Sequence, residues 1–100
     1  ITNGDKEADA AYIRLFVEQT EECLAALETS CANGDWERWR ETAHKLKSSA
    51  GIMGAEEFRI SCDRAEHYGG DEKERALLLA SIERAFERVR DFLGQMGFTT

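Results

Sequence analysis

Three glycine-containing breaks, in a chain without proline, divide these 100 residues into four segments of helical character. The breaks are Asn33-Gly34, Gly54 and Gly69-Gly70, and such residues tolerate the left-handed backbone that closes a helix. Between the breaks, apolar residues recur every three or four positions, which is the spacing of one helix face. The pattern predicts helices over residues of about 8–32, 36–53, 55–68 and 72–96.

Each predicted helix carries an apolar stripe. The stripes comprise Tyr12, Leu15, Phe16, Cys23, Leu27 and Cys31 in the first helix, Trp36, Trp39, Ala43, Leu46, Ala50 and Met53 in the second, Phe58, Cys62 and Ala65 in the third, and Leu78, Ile82, Ala85, Phe86, Val89, Phe92, Leu93 and Met96 in the fourth. Asp35 and Asp71 are placed to cap the second and fourth helices. Because the connections are short, we predict an all-α, antiparallel up-down four-helix bundle over residues 8–98, after a polar lead-in at 1–7.

Composition excludes several classes of partner. The net charge of −7 opposes binding to nucleic acid or to an anionic membrane, since both attract a basic surface. No apolar run approaches the roughly 20 residues of a membrane span, and no secretory signal is present, so we expect no membrane contact by this domain. The three cysteines lack metal-ligand spacing, which favours buried thiols in a reduced, cytoplasmic setting. The start at Ile1 suggests a processed chain or a domain excised from a longer one.

His44 is the first candidate for a reactive group. It lies about 130° from the centre of the apolar stripe on the second helix and should face water. Arg40, Lys47, Ser48 and Gly51 share its face. Cations stabilise a phosphoryl group, and small residues give another protein close access. On these grounds alone, His44 is either such a site or an ordinary surface histidine.

Counting outward from the turn at Gly54 predicts that residues near Asp63 to His67 of the third helix lie alongside His44. Within that range, Glu66 is at the edge of the apolar stripe, on the side toward His44. A carboxylate accepting from the Nδ1–H group would hold the ring with Nε2 outward. The alternative is that Glu66 is a surface acid. His67 should point further away, and a His44–His67 metal pair lacks a third ligand, so we expect no metal site.

The segment from His44 to Ala55 resembles the phosphorylation motif of histidine-containing phosphotransfer (HPt) domains. That family has His-x-Leu-Lys-Gly followed by two small residues, an apolar residue, Gly and Ala. The matching positions are His44, Leu46, Lys47, Gly54 and Ala55. Ser48 departs from the family's usual glycine but is still small. The length and the four predicted helices also agree with the family.

The resemblance implies a phosphocarrier. His44 would accept a phosphoryl group through Nε2 and exchange it with an aspartate of a response-regulator receiver domain in a multistep phosphorelay. The receiver would supply Mg²⁺, and this chain would need no cofactor. Because no glycine-rich nucleotide loop is present, we expect no ATP site and no enzyme activity of its own. The chain would be part of, or partner to, a sensor histidine kinase, including the cytoplasmic part of a membrane-bound one.

The resemblance and the helix geometry together suggest roles for eight residues besides His44. Lys47 would neutralise phosphoryl oxygens and Glu66 would orient the imidazole of His44. The partner-binding candidates are Ser48 and Gly51 as a docking floor, Arg40 as a source of positive potential, and Leu15, Ile52 and Met53 as an apolar rim. Alternatively, Lys47 and Arg40 are ordinary solvated side chains without a role in phosphoryl transfer, and Gly51 serves close packing of helices.

Two other functions agree with the same sequence features. One is the phosphoacceptor domain of a chemotaxis-type histidine kinase, which takes phosphate from its own ATP-binding domain. The other is a helical module that binds a protein without being phosphorylated.

Overall fold

Four helices make up the fold in a computed structural model that describes residues 6–99. They are α1 (Lys6–Asn33), α2 (Trp36–Met53), α3 (Glu56–His67) and α4 (Glu72–Gln95), and the described residues include no strand. Each helix end lies within two residues of its predicted position, so the all-α prediction is confirmed. Of the predicted lead-in, residues 1–5 lie outside the described residues, whereas Lys6 and Glu7 belong to α1.

Local capping explains where α2 and α4 begin and where α2 ends. The Asp35 carboxylate accepts from the Arg38 amide at 3.2 Å, and the Asp71 carboxylate accepts from the Glu74 amide at 2.9 Å. Gly54 closes α2 with a φ of 73°, a conformation that disfavours residues with a Cβ. The turn at Gly54 sets α3 against α2.

The helices form a ring in which consecutive helices contact each other and α1 contacts α4. The antiparallel bundle is elongated, measuring 44 × 18 × 18 Å. Phe16 of α1, Phe58 of α3 and Phe86 of α4 meet in its core, with ring centroids 5.7 to 6.4 Å apart. Such aromatic contacts stabilise a core beyond the area that they bury.

Four residues of the predicted stripes lie at the surface instead of in the core. Their exposed fractions are 42% for Tyr12, 51% for Leu15, 59% for Phe92 and 41% for Met96. On α1 the neighbouring Ile13, Phe16 and Val17 fill the core positions. Phe92 lines an open groove between α4 and the turn at Gly54 that joins α2 to α3, so its ring is only partly covered.

A buried arginine closes the end of the bundle where α2 and α4 begin. Arg75 is only 4% exposed, and its guanidinium lies 4.3 Å from the ring centroid of Trp36, 5.5 Å from Trp39 and 5.4 Å from Tyr68. Its Nε donates to the Gly70 carbonyl at 3.2 Å. Stacking on aromatic faces stabilises the buried guanidinium and partly replaces the hydration that it loses. We call Arg75, Trp36, Trp39 and Tyr68 the Arg75 cluster.

Candidate functional site

His44 lies midway along α2 on the face away from the core. Its side chain is 61% exposed, as the helix geometry predicts. Its Nδ1 lies 3.1 Å from Glu66 Oε2 of α3, so the predicted contact between these two side chains is present. When Nδ1 carries the proton, it donates to the carboxylate, and the electron pair of the neutral ring is on Nε2.

Lys47 lies one turn after His44 and pairs with two carboxylates of α3. Its Nζ is 2.8 Å from Glu66 Oε1 and 3.2 Å from Asp63 Oδ1. Hydrogen bonds to Glu66 and then to Asp63 raise the pKa of Lys47, so this ammonium stays charged. The side chain is 23% exposed, and an ammonium has three donors. Two carboxylates therefore leave one N–H for a further acceptor.

Glu66 links the histidine to the lysine. Its side chain is only 13% exposed, yet the hydrogen bond from Lys47 holds the pKa of Glu66 below its ordinary value against the opposing effect of desolvation. Lys47 Nζ lies 2.8 Å from Oε1 of this carboxylate, whereas Oε2 faces the imidazole of His44. Glu66 is thus an ionised acceptor for the Nδ1–H group of His44.

Asp63 is the second carboxylate beside Lys47, and the sequence analysis assigned it no role although it placed the residue near His44. Its pKa is lowered, chiefly by a hydrogen bond from Lys47. Asp63 lies three residues before Glu66, so the two side chains share one face of α3. Once Glu66 is assigned to the site, this i, i+3 spacing is the sequence signal that indicates Asp63 as a second carboxylate there.

His67 is exposed, as predicted, but it is closer to the site than expected. Its Nε2 lies 3.9 Å from the same Glu66 Oε2 that His44 contacts, and its Nδ1 lies 3.3 Å from Asp63 Oδ1. Ligand atoms of Asp63, Glu66 and His67 come within 4.8 Å of one another, a spacing that suits a metal ion. The Lys47 ammonium already lies against both of these carboxylates.

The surface around His44 is open. Arg40, Ser48 and Gly51 are all exposed, and so is Ile52 beside them at 74%. A Cβ at Gly51 would meet nothing nearer than Arg59 Cδ at 3.7 Å, an ordinary contact distance. Close helix packing therefore does not require glycine at this position.

Leu15 and Met53, the two remaining candidates for the apolar rim, differ in their positions. Leu15 is an exposed residue of α1, 51% accessible. Met53 is half-buried and lines a groove of about 290 Å³ together with Val89, Phe92 and other residues. Met53 is nine positions after His44, which is two and a half helical turns and places the two residues on opposite sides of α2. The structure thus places Met53 away from the His44 face.

A family model described as the Hpt domain matches residues 11–96. The match spans most of the chain and includes His44, Lys47, Asp63 and Glu66. The chain belongs to the Hpt family. Hpt domains are phosphocarriers of two-component phosphorelays, and they interact there with histidine kinases and response regulators.

No curated protein and no solved structure matches this Hpt domain closely enough to count as similar. In the part of the chain that the structure describes, none of the helices combines the length and the apolar character needed to cross a bilayer.

Proposed function

We propose that this Hpt domain accepts a phosphoryl group on Nε2 of His44 from the aspartyl phosphate of a receiver domain, and passes it on by the same chemistry. The observation that carries the proposal is the 3.1 Å contact between Glu66 Oε2 and Nδ1 of an exposed histidine. That contact favours the tautomer in which the outward nitrogen is the nucleophile.

The transfer step balances without a cofactor in this chain. The Nε2 electron pair attacks phosphorus, the bond from phosphorus to the aspartate oxygen breaks, and the aspartate leaves as a carboxylate. The Nδ1 proton stays on the ring, which becomes positively charged when Nε2 is phosphorylated. The ionised Glu66 lies against that charge, so the carboxylate favours the phosphorylated ring. Return of the phosphoryl group is the reverse of this step.

Lys47 is proposed to neutralise phosphoryl oxygens with the N–H that its two carboxylate partners leave over. Arg40, one turn before His44, adds positive potential on the same face. Ser48 and Gly51 would form the docking floor, with Leu15 and Ile52 as apolar contacts for the receiver. The Mg²⁺ that phosphoryl transfer uses is expected on the receiver.

The test is a labelling experiment with a phosphorylated receiver and Mg²⁺. Wild-type protein should gain phosphate that is labile in acid and stable in base, and His44→Gln should abolish the label. His67→Gln is the matched control, because it removes the other exposed imidazole near Glu66, and it should label like the wild type. A wild-type protein that no receiver labels would support the binding module instead. Labelling only by a kinase with ATP would support the chemotaxis-type alternative.

A further inference from the structure

The indole of Trp39 makes a buried hydrogen bond to the helix that carries Glu66. Trp39 belongs to α2 and is fully buried, and its Nε1–H donates to the Ala65 carbonyl of α3 at 2.8 Å. Ala65 directly precedes Glu66 in the last turn of α3, where carbonyl groups lack donors from their own helix. The Tyr68 amide approaches the same carbonyl at 3.4 Å, which is much longer. The indole is therefore the main donor to this carbonyl.

The same indole also contacts Arg75 of α4. Arg75 packs over the Trp39 ring and also bonds the Gly70 carbonyl in the link between α3 and α4. The last turn of α3 is thus attached to α2 through Trp39 and to α4 through the Arg75 cluster. Neither attachment involves an exposed side chain, since Trp39 and Arg75 are both buried.

Contacts inside the bundle and at its surface therefore join α2 to the last turn of α3. Inside, Trp39 bonds Ala65. At the surface, Lys47 pairs with Glu66 Oε1 at 2.8 Å, and His44, five residues after Trp39 on α2, meets Glu66 Oε2. The surface contact of 3.1 Å is near the upper end of the hydrogen-bond range. A displacement of this turn by less than one ångström would break it, because hydrogen bonds weaken steeply with distance.

We propose that Trp39 is a positioning residue for the phosphoacceptor. By fixing the last turn of α3, its indole N–H keeps Glu66 within hydrogen-bond distance of His44 and thereby sets the tautomer of the ring. The proposal rests on the proposed role of His44, but its test does not require phosphoryl transfer.

The experiment is nitrogen NMR of the His44 ring in the full, unphosphorylated chain. In Trp39→Phe, which keeps an aromatic ring but lacks the N–H, the share of the Nδ1–H tautomer should fall toward the value measured for Glu66→Ala. Trp36→Phe is the matched control. Trp36 stacks on Arg75 and makes no hydrogen bond to the described part of α3, so the wild-type tautomer ratio should persist.

Each outcome decides the question. If Trp39→Phe lowers the melting temperature but keeps the wild-type tautomer, Trp39 is only structural and the inference fails, whether or not His44 carries phosphate. If the tautomer shifts while no receiver labels the wild type, the positioning role stands and the proposed function fails. Should Trp39→Phe not fold, benzothienylalanine at position 39 keeps the ring shape with sulfur in place of N–H, and the same measurement applies.

Discussion

Lys47 Nζ lies 2.8 Å from Glu66 Oε1, while the other oxygen of that carboxylate faces His44. One carboxylate therefore connects His44 to Lys47, the cation one helical turn later. Under the proposed function, a phosphoryl group on His44 would bring negative charge close to Lys47, so the ammonium and the imidazole would respond to the same event through a shared partner.

Replacing Lys47 by Ala should slow labelling by a phosphorylated receiver on the order of tenfold, because a charge-assisted hydrogen bond to the phosphoryl group is lost. The melting temperature should change little, since the side chains of such partly exposed ion pairs contribute modestly to stability. The measurements are initial labelling rates and thermal melts. Lys45→Ala is the control, because Lys45 is an exposed lysine of α2 outside the Asp63–Glu66 pair. A large loss of stability at an unchanged rate would make Lys47 structural.

Acid should lower the free energy of unfolding of the bundle, because Asp63 and Glu66 become protonated. Lys47 lowers the pKa of both carboxyls from their ordinary values of 3.8 and 4.5, so the unfolded chain takes up protons first as the pH falls. The stabilisation is complete above the ordinary values and is lost as the pH falls through the lowered ones.

Urea unfolding at about pH 6 and about pH 3 measures this loss. The difference in free energy of unfolding between the two conditions should be smaller in Asp63→Asn and in Glu66→Gln than in the wild type. An equal difference in all three proteins would mean that these carboxyls titrate alike in the folded and unfolded states.

Helix ends and the exposure of His44 were predictable because each depends on nearby residues alone. The cap at Asp35 and the stop at Gly54 defined α2 to the residue. Counting from Gly54 gave the range from Asp63 to His67, and the edge of the apolar stripe then selected Glu66 within it. Local sequence was sufficient wherever one helix or one turn decided the geometry.

Features that depend on several helices at once were not predictable. Arg75 is a charged residue in a core, and only the meeting of α2, α3 and α4 supplies its three aromatic rings. Phe92 continues a regular stripe, but it is exposed where α4 faces the open groove at the α2–α3 turn. Such positions require the packed structure, because periodicity describes each helix separately.

Gly51→Ala should stabilise the protein while impairing transfer from the receiver. Alanine is favoured over glycine in a helix by about 1 kcal/mol, and the new Cβ meets only Arg59 Cδ at 3.7 Å. Slower labelling by a more stable protein would assign the loss to docking instead of unfolding. Urea unfolding and labelling rates measure the two effects.

Gly54→Ala provides the contrast. At a φ of 73° a Cβ is strained, so this variant should lose about 1 kcal/mol of unfolding free energy. Labelling per folded molecule should stay near the wild-type rate. If Gly51→Ala labels at the wild-type rate, position 51 is not part of the docking floor.

The three thiols should resist modification in the folded protein. Cys62 is fully buried, and desolvation raises the pKa of its thiol to about 12. Burial also raises the pKa of Cys23 and of Cys31. Ellman's reagent at about pH 8 should react slowly with native protein and with all three thiols in urea. Rapid reaction of the native protein would reveal opening of the bundle.

The proposed reaction centre occupies a single helical hairpin. His44 and Lys47 belong to α2, and Asp63 and Glu66 belong to α3, whereas α1 and α4 provide none of these four groups. Among the proposed docking residues, only Leu15 of α1 lies outside the same hairpin. Partner choice and phosphoryl chemistry would therefore be tied to one pair of helices and would have to evolve together.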